Sequence, residues 1–430
     1  MHLLLCPGCD IIRHLHCFKG NLMRLFPKIT VSEKGADFLR GGHVWVYADE
    51  ICSEQSELTD GELVDVLSPK GSYLGTGFYN SHSKIRVRIV SKNANDTFDE
   101  AFWERKLRWS IEYRRQVMGE TDFHCCRLIF GEADAFPGLT VDRFEDVLVS
   151  EVLCLGIEKV KPLLYRLLIR ILREEFDAPI RILYERNESP IRGLEGLSCE
   201  KGYWNAPDLD HKSNGLCEIV ENGIRYEVDF INGQKTGFFL DQKYNRAAIR
   251  KIAAGRRVLD CFTHTGSFAL NAAQAGAKHV TAVDISADAI ATAKRNAEKN
   301  GLSGKTEFIC ADVFDLLTAY AKNGKFDYDF VILDPPAFTK SRDTLKNAIR
   351  GYREINRRAM QLLSRGSYLA TCSCSHFMTE TYFRQMLHNA ASDAGVALRQ
   401  IEGRKQSPDH PILWNIPETD YLKFYLFQIV

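Results

Sequence analysis

The chain contains no run of about 18 apolar residues, so nothing in it reads as a membrane-spanning helix. Its opening stretch, MHLLLCPGCDIIRHLHCF, has an apolar run too short for the core of a secretory signal. Its 13 cysteines are scattered rather than spaced as a disulfide framework, and with no export signal a reducing cytoplasm is the expected location. Charge of neither sign is in excess: 56 Lys and Arg balance 56 Asp and Glu, so bulk charge neither demands nor forbids a nucleic-acid partner. Internal repeats and low-complexity tracts are also missing.

What is present is the composition of a folded globular protein, 45% hydrophobic and 26% charged. A chain of 430 residues is too long for one ordinary core, and two or three domains are expected. Cys6 and Cys9, with His14, His16 and Cys17, can be drawn as a zinc site, but a second properly spaced ligand pair is lacking. The segment precedes Met23, a second candidate start. Residues 1–26 therefore read as an N-terminal extension.

Short β-like runs separated by turn residues follow from Pro27 to about Val90, predicting a small β-rich domain over 27–96. In it Lys84, Arg86 and Arg88 alternate along an apparent strand, which puts all three on one face. Arg105, Lys106, Arg108, Arg114 and Arg115 follow on a predicted helix from about Phe98 to Met118. Each cluster alone reads as a solvated face; two close in sequence predict a phosphate-contacting surface. Residues 97–210 read as an α+β module, and DLDHKSNG, Asp208 to Gly215, as a linker.

From residue 216 to 430 strand-like and helical runs alternate: RRVLDCF, HVTAVDI, TEFICAD and DFVILDPP, with helices between. That order predicts an α/β fold, a doubly wound parallel sheet with helices on both faces. The closing runs SYLATCSC, LRQIEGRK and YLKFYLFQIV add strands, the last suited to an antiparallel hairpin edge.

The first strand-to-helix turn reads LDCFTHTGSF, in which Gly266 permits close backbone approach and the helix start offers unpaired N–H groups. The G-x-G-x-x-G fingerprint is missing, which argues against a dinucleotide-dependent dehydrogenase. Asp260, Asp284 and Asp312 end three successive strands, where folds of this kind bind ligands and where an acid accepts hydrogen bonds from ribose hydroxyls. Asp334-Pro335-Pro336-Ala337-Phe338 closes the fourth strand: a rigid turn that can hold an acid and an apolar face against a flat base. Cys372 and Cys374 lie at the end of the fifth. A cysteine on a strand is ordinarily a small core residue. Carbon 5 of a pyrimidine, however, is a poor nucleophile, and methylating it calls for a thiolate that adds at carbon 6.

Taken together, LDCFTHTGSF, AVDIS, ADVFD, LDPPAF and SCS-x-x-MT, with QKTGFFLDQKYNR upstream and DHP near the end, resemble the bacterial large-subunit rRNA 5-methylcytosine methyltransferases of the RlmI type, from about Pro27 to Val430. The resemblance implies a PUA RNA-binding domain, the family's α+β insert and a class I methyltransferase domain using S-adenosyl-L-methionine. It implies that Asp260, Phe262 and Gly266 line the methionine end of the cofactor, that Asp284 holds the ribose and Asp312 the adenine. Asp334 would contact the base, and Cys374 would attack it. Lys235, Thr236, Gly237, Phe238, Asp241, Gln242 and Arg246 would frame the pocket, with Pro335, Pro336, Phe338, Arg86 and Arg88 on the RNA. The family commonly has tyrosine where this chain has His264. Large-subunit ribosomal RNA is the implied partner, with no membrane; a homodimer is left open. Two other readings compete: an exocyclic amino-group methyltransferase, which needs no cysteine, and a non-catalytic ribosome-assembly protein, which would not need the three acids.

Overall fold

A computed structural model of the protein describes residues 26–55, 57–339 and 341–430. The zinc reading and the alternative start at Met23 lie outside the described residues. Among the described residues no helix is long and apolar enough to cross a membrane. The chain divides into two compact units, one reaching to Asn214 and taking in Leu413–Ile416, the other comprising Gly215–Ile412 and Pro417–Val430.

The first unit contains two sheets. Six short strands between Lys28 and Ser91 make the first, and alternating residues such as Ile29, Val31, Val64, Val66, Val87 and Ile89 bury one face. Five strands between Cys125 and Tyr203 make the second, with helices Glu100–Phe123 and Leu155–Glu175. The first of these helices breaks at Gly119, whose φ of 71° is left-handed, just past the predicted end at Met118.

The arginines of the expected basic surface are engaged by groups of this unit, most by carboxylates and Arg86 by backbone carbonyls, while Lys84 is exposed. Arg88 ion-pairs with Glu132 at 3.1 Å and Glu195 at 3.0 Å, and its side chain is only 11% exposed. Arg86 donates to the backbone carbonyls of Asn80 and Ser81. On the helix Arg105 pairs with Asp96, Arg108 with Glu175, Arg115 with Glu120, and the fully buried Arg114 with Asp134. Arg88 is thus a structural cross-link of this unit and not an exposed phosphate contact. Removing one member of a buried ion pair strands its partners and costs about 3 to 5 kcal/mol. Arg88→Ala is therefore expected to lower the denaturant midpoint of the folded protein markedly. The salt dependence of its RNA binding should be that of wild type, as titrations at several ionic strengths would read.

The second unit opens with a hairpin, Leu216–Glu221 with Ile224–Asp229, turned at Asn222-Gly223, both at positive φ as a two-residue type I′ turn requires. Its main sheet has seven strands: β1 Arg257–Cys261, β2 His279–Asp284, β3 Thr306–Cys310, β4 Phe330–Leu333, β5 Tyr368–Ser373, β6 Leu398–Arg404 and β7 Lys423–Ile429. Their order is β3-β2-β1-β4-β5-β7-β6. The central strands read as continuous apolar runs because helices cover both faces, and all four residues of β4 are buried. The covering helices include α1 Ser267–Gln274, α2 Ala287–Lys299, α3 Val313–Asn323, α4 Leu345–Leu362 and α5 Glu380–Ala394. One expectation needs correction: β7 is not the edge. It lies antiparallel between β5 and β6, and β6 forms the outer strand.

Candidate active site

Strand order reverses between β1 and β4, and at such a switch point the carboxyl ends of the strands leave a crevice. Asp260, at the penultimate position of β1, is fully buried. Its Oδ2 accepts from the Thr263 hydroxyl at 2.5 Å, while Oδ1 has no hydrogen-bond partner. Burial pushes its carboxyl up to about 7. A buried oxygen without a donor fits an incoming ammonium group.

The turn after β1 is held in sparsely populated backbone. Phe262 and His264 sit at φ of 65° and 51°, before Gly266 at 86°. Non-glycine positions of this kind cost about 1 to 3 kcal/mol each and concentrate at functional turns. A Cβ on Gly266 would come within 3.1 Å of the Ala293 Cβ. The conformation aims the His264 N–H at Asp284 Oδ2, 2.9 Å away, while the Ser286 N–H holds Oδ1 at 2.9 Å. Burial lowers the His264 imidazole to about 4, so it is neutral, and its ring packs on Phe239 at 5.0 Å. Histidine thus fills the tyrosine position as an uncharged aromatic. Asp312 caps α3, with Oδ1 accepting from the Phe314 N–H at 2.7 Å and the Asp315 N–H at 3.2 Å.

Asp334 follows β4, and its Oδ1 accepts from the Gln242 side-chain amide at 2.9 Å. Gln242 is oriented in turn by Asn245, whose amide donates to Gln242 Oε1 at 2.7 Å. Burial, then the neighbouring Asp241, pushes the Asp334 carboxyl up to about 7 against the opposing pull of Arg246. Arg246 is itself engaged by Glu221 through bonds of 2.6 and 2.7 Å. Of the following turn, Pro335 is buried and Pro336 exposed. Phe338 is half-buried. Its ring packs on Tyr352 at 4.6 Å and on Phe314 at 6.1 Å, joining the core between α3 and α4.

The two cysteines at β5 differ in exposure. Cys372 lies inside the strand, paired with Phe424, and is fully buried in a core cluster with Phe268, Ile332 and Leu426, its thiol in contact with Asp334 and Gln242. Cys374 lies one residue past the strand end and keeps some exposure. Burial first, and the charge of Asp334 second, push its thiol up to about 11, with Lys235 pulling the other way. Sequence reading passed over Tyr421, whose hydroxyl donates to Asp241 Oδ2 at 2.7 Å, and Lys423, which donates to the Ser375 carbonyl at 2.7 Å. Their signal was two polar residues at the mouth of an otherwise apolar strand.

A family described as S-adenosylmethionine-dependent methyltransferase matches residues 208–427, and a PUA-like domain matches 29–92. Ribosomal RNA large subunit methyltransferase I of Pseudoalteromonas translucida is 39% identical over 91% of this chain and 96% of its own. The protein of that name from Klebsiella pneumoniae is 35% identical over 94% and 99%. Among solved structures, SMU.776, assigned as a methyltransferase and complexed with SAH, superposes with a TM-score of 0.78 at 20% identity. It covers 93% of this chain and 99% of its own, a likeness of fold. Model match and identity along nearly the whole length agree: the chain belongs to the S-adenosylmethionine-dependent methyltransferases, in the family whose members are named ribosomal RNA large subunit methyltransferase I.

Proposed function

We propose that the protein methylates carbon 5 of a cytosine in large-subunit ribosomal RNA, in the cytoplasm, with Cys374 as the nucleophile. The observation that carries the reading is exposure: the Cys374 thiol, one residue beyond β5 and near Asp334, stays partly exposed, while Cys372, whose thiol also meets Asp334, is fully buried. Bound S-adenosylmethionine supplies the electrophilic methyl group. On this reading the Asp260 oxygen without a donor takes its ammonium, Phe262 and Gly266 line its methionine end, Asp284 takes its ribose hydroxyls, and Asp312 uses the oxygen not spent on capping α3 for the adenine amine.

The chain's own groups then divide the work on the base. The Cys374 thiolate forms a bond to carbon 6 of an extruded cytosine, and the ring electrons displaced toward N3 are met by a proton from Asp334, whose raised carboxyl is part-protonated near neutrality. Carbon 5, now nucleophilic, takes the methyl group and loses its proton to a base, the thiolate leaves, and N3 returns its proton to Asp334. Pro335 and Pro336 stiffen the turn that presents Asp334. An exocyclic amino-group methyltransferase would have no use for the thiol. Incubation with unmodified 23S rRNA and methyl-labelled cofactor, followed by nucleoside chromatography, is expected to yield 5-methylcytidine. A methylamino-adenosine or methylamino-guanosine product would overturn the reading.

A further inference from the structure

The turn that carries Cys374 is fastened from two sides. The Ser375 hydroxyl donates to the Thr339 carbonyl at 3.1 Å, behind the Asp-Pro-Pro turn. From β7 the Lys423 ammonium donates to the Ser375 carbonyl at 2.7 Å and to the Tyr421 carbonyl at 2.9 Å. Lys423 lies opposite Ser373 in the β5–β7 pairing and is 1% exposed. Among the described residues no carboxylate comes within ion-pair distance of it: Glu380 and Asp420 are spent on Lys405. A buried ammonium bonded only to neutral carbonyls is costly unless an anion completes it.

We propose that Lys423 is a positioning residue for Cys374: it fixes the turn through the Ser375 carbonyl and supplies the positive charge opposite the thiolate. This rests on the reading of Cys374 as the nucleophile. Around Lys423 stand Lys405, Asp420, Glu380 and Cys374; around Cys374 stand Asp334, Asp241 and Lys235. Burial, then Lys405, lowers the Lys423 ammonium to about 8, so it is charged at neutral pH and discharges above that. With the thiol pushed up to about 11, thiolate is scarce in the free protein, and the cations near it, Lys235 and Lys423, favour its formation.

The test is alkylation of Cys374 by iodoacetamide in the full-length protein, followed by peptide mass spectrometry from about pH 6.5 to about pH 9.5. Lys423→Met and Lys423→Gln are compared with wild type, with unchanged cofactor affinity marking the folded state. Below pH 8 both variants are expected to react about fivefold or more slowly than wild type. The gap should close as pH rises through about 8, because the wild-type ammonium then loses its charge. A gap constant with pH would mean lost packing alone, and no gap would mean no coupling; either overturns the proposal. Methylation by Cys374→Ser would instead remove the nucleophile reading, while the alkylation curves would still report on the thiol and the ammonium.

Discussion

Cys374→Ser is expected to bind cofactor with wild-type affinity and to methylate no RNA. An RNA carrying 5-fluorocytosine at the target cannot lose a proton from carbon 5 after methyl transfer, so the thiol–carbon 6 bond should persist and trap protein on RNA. Wild type should form that complex, visible as a species resistant to denaturing electrophoresis. Cys372→Ser should form it as well, since Cys372 is fully buried within the strand whereas Cys374 keeps some exposure just past it. A serine hydroxyl at 374 is far too weakly acidic to replace the thiolate, and loss of detectable turnover is the expected size of effect. Trapping by Cys374→Ser and its loss in Cys372→Ser would place the nucleophile two residues earlier. Indifference to both substitutions would remove the carbon-5 mechanism.

Asp260→Asn should weaken S-adenosylmethionine binding by about ten- to a hundredfold, the effect of losing a charged hydrogen bond of about 1.5 to 3 kcal/mol in a closed site. The wild-type pH dependence follows from the same carboxyl. Burial raises it from 3.8 in the unfolded chain to about 7 in the fold, so the fold favours its protonated form. Its contribution to stability is complete below 3.8 and lost as pH rises through about 7. A ligand ammonium favours the ionised form. Binding should therefore release a proton below pH 7 and tighten as pH rises through that value, and Asp260→Asn should abolish both. Calorimetry in buffers of different ionisation enthalpy reads the proton directly. Tight, pH-independent binding by Asp260→Asn would contradict the assignment.

The alternating strands and helices of the second unit were legible because a sheet covered on both faces demands continuous apolar runs, and those runs end on acids that nothing in a core would tolerate unpaired. Asp260, Asp284, Asp312 and Asp334 could be picked out that way, whereas Cys374 was set apart from Cys372 only by the family resemblance. The place of β7 could not: its insertion between β5 and β6 is decided by pairing with Tyr368–Ser373, far away in sequence. Arg88 misled for the same reason. Alternation correctly put it on the face of its strand, but the carboxylates that neutralise it, Glu132 and Glu195, lie 44 and 107 residues on. Nor could the sequence show that the half-buried Phe338 packs its ring against Tyr352 of the next helix.

The central claim, a carbon-5 cytosine methyltransferase of large-subunit ribosomal RNA acting through Cys374, is tested most directly by bisulfite mapping of 23S rRNA from cells lacking this gene. The account predicts one cytosine that converts fully in the deletion strain and is protected again by a plasmid copy of the wild-type gene, but not by the Cys374→Ser gene. The same protected cytosines in all strains, or protection restored by Cys374→Ser, would contradict it.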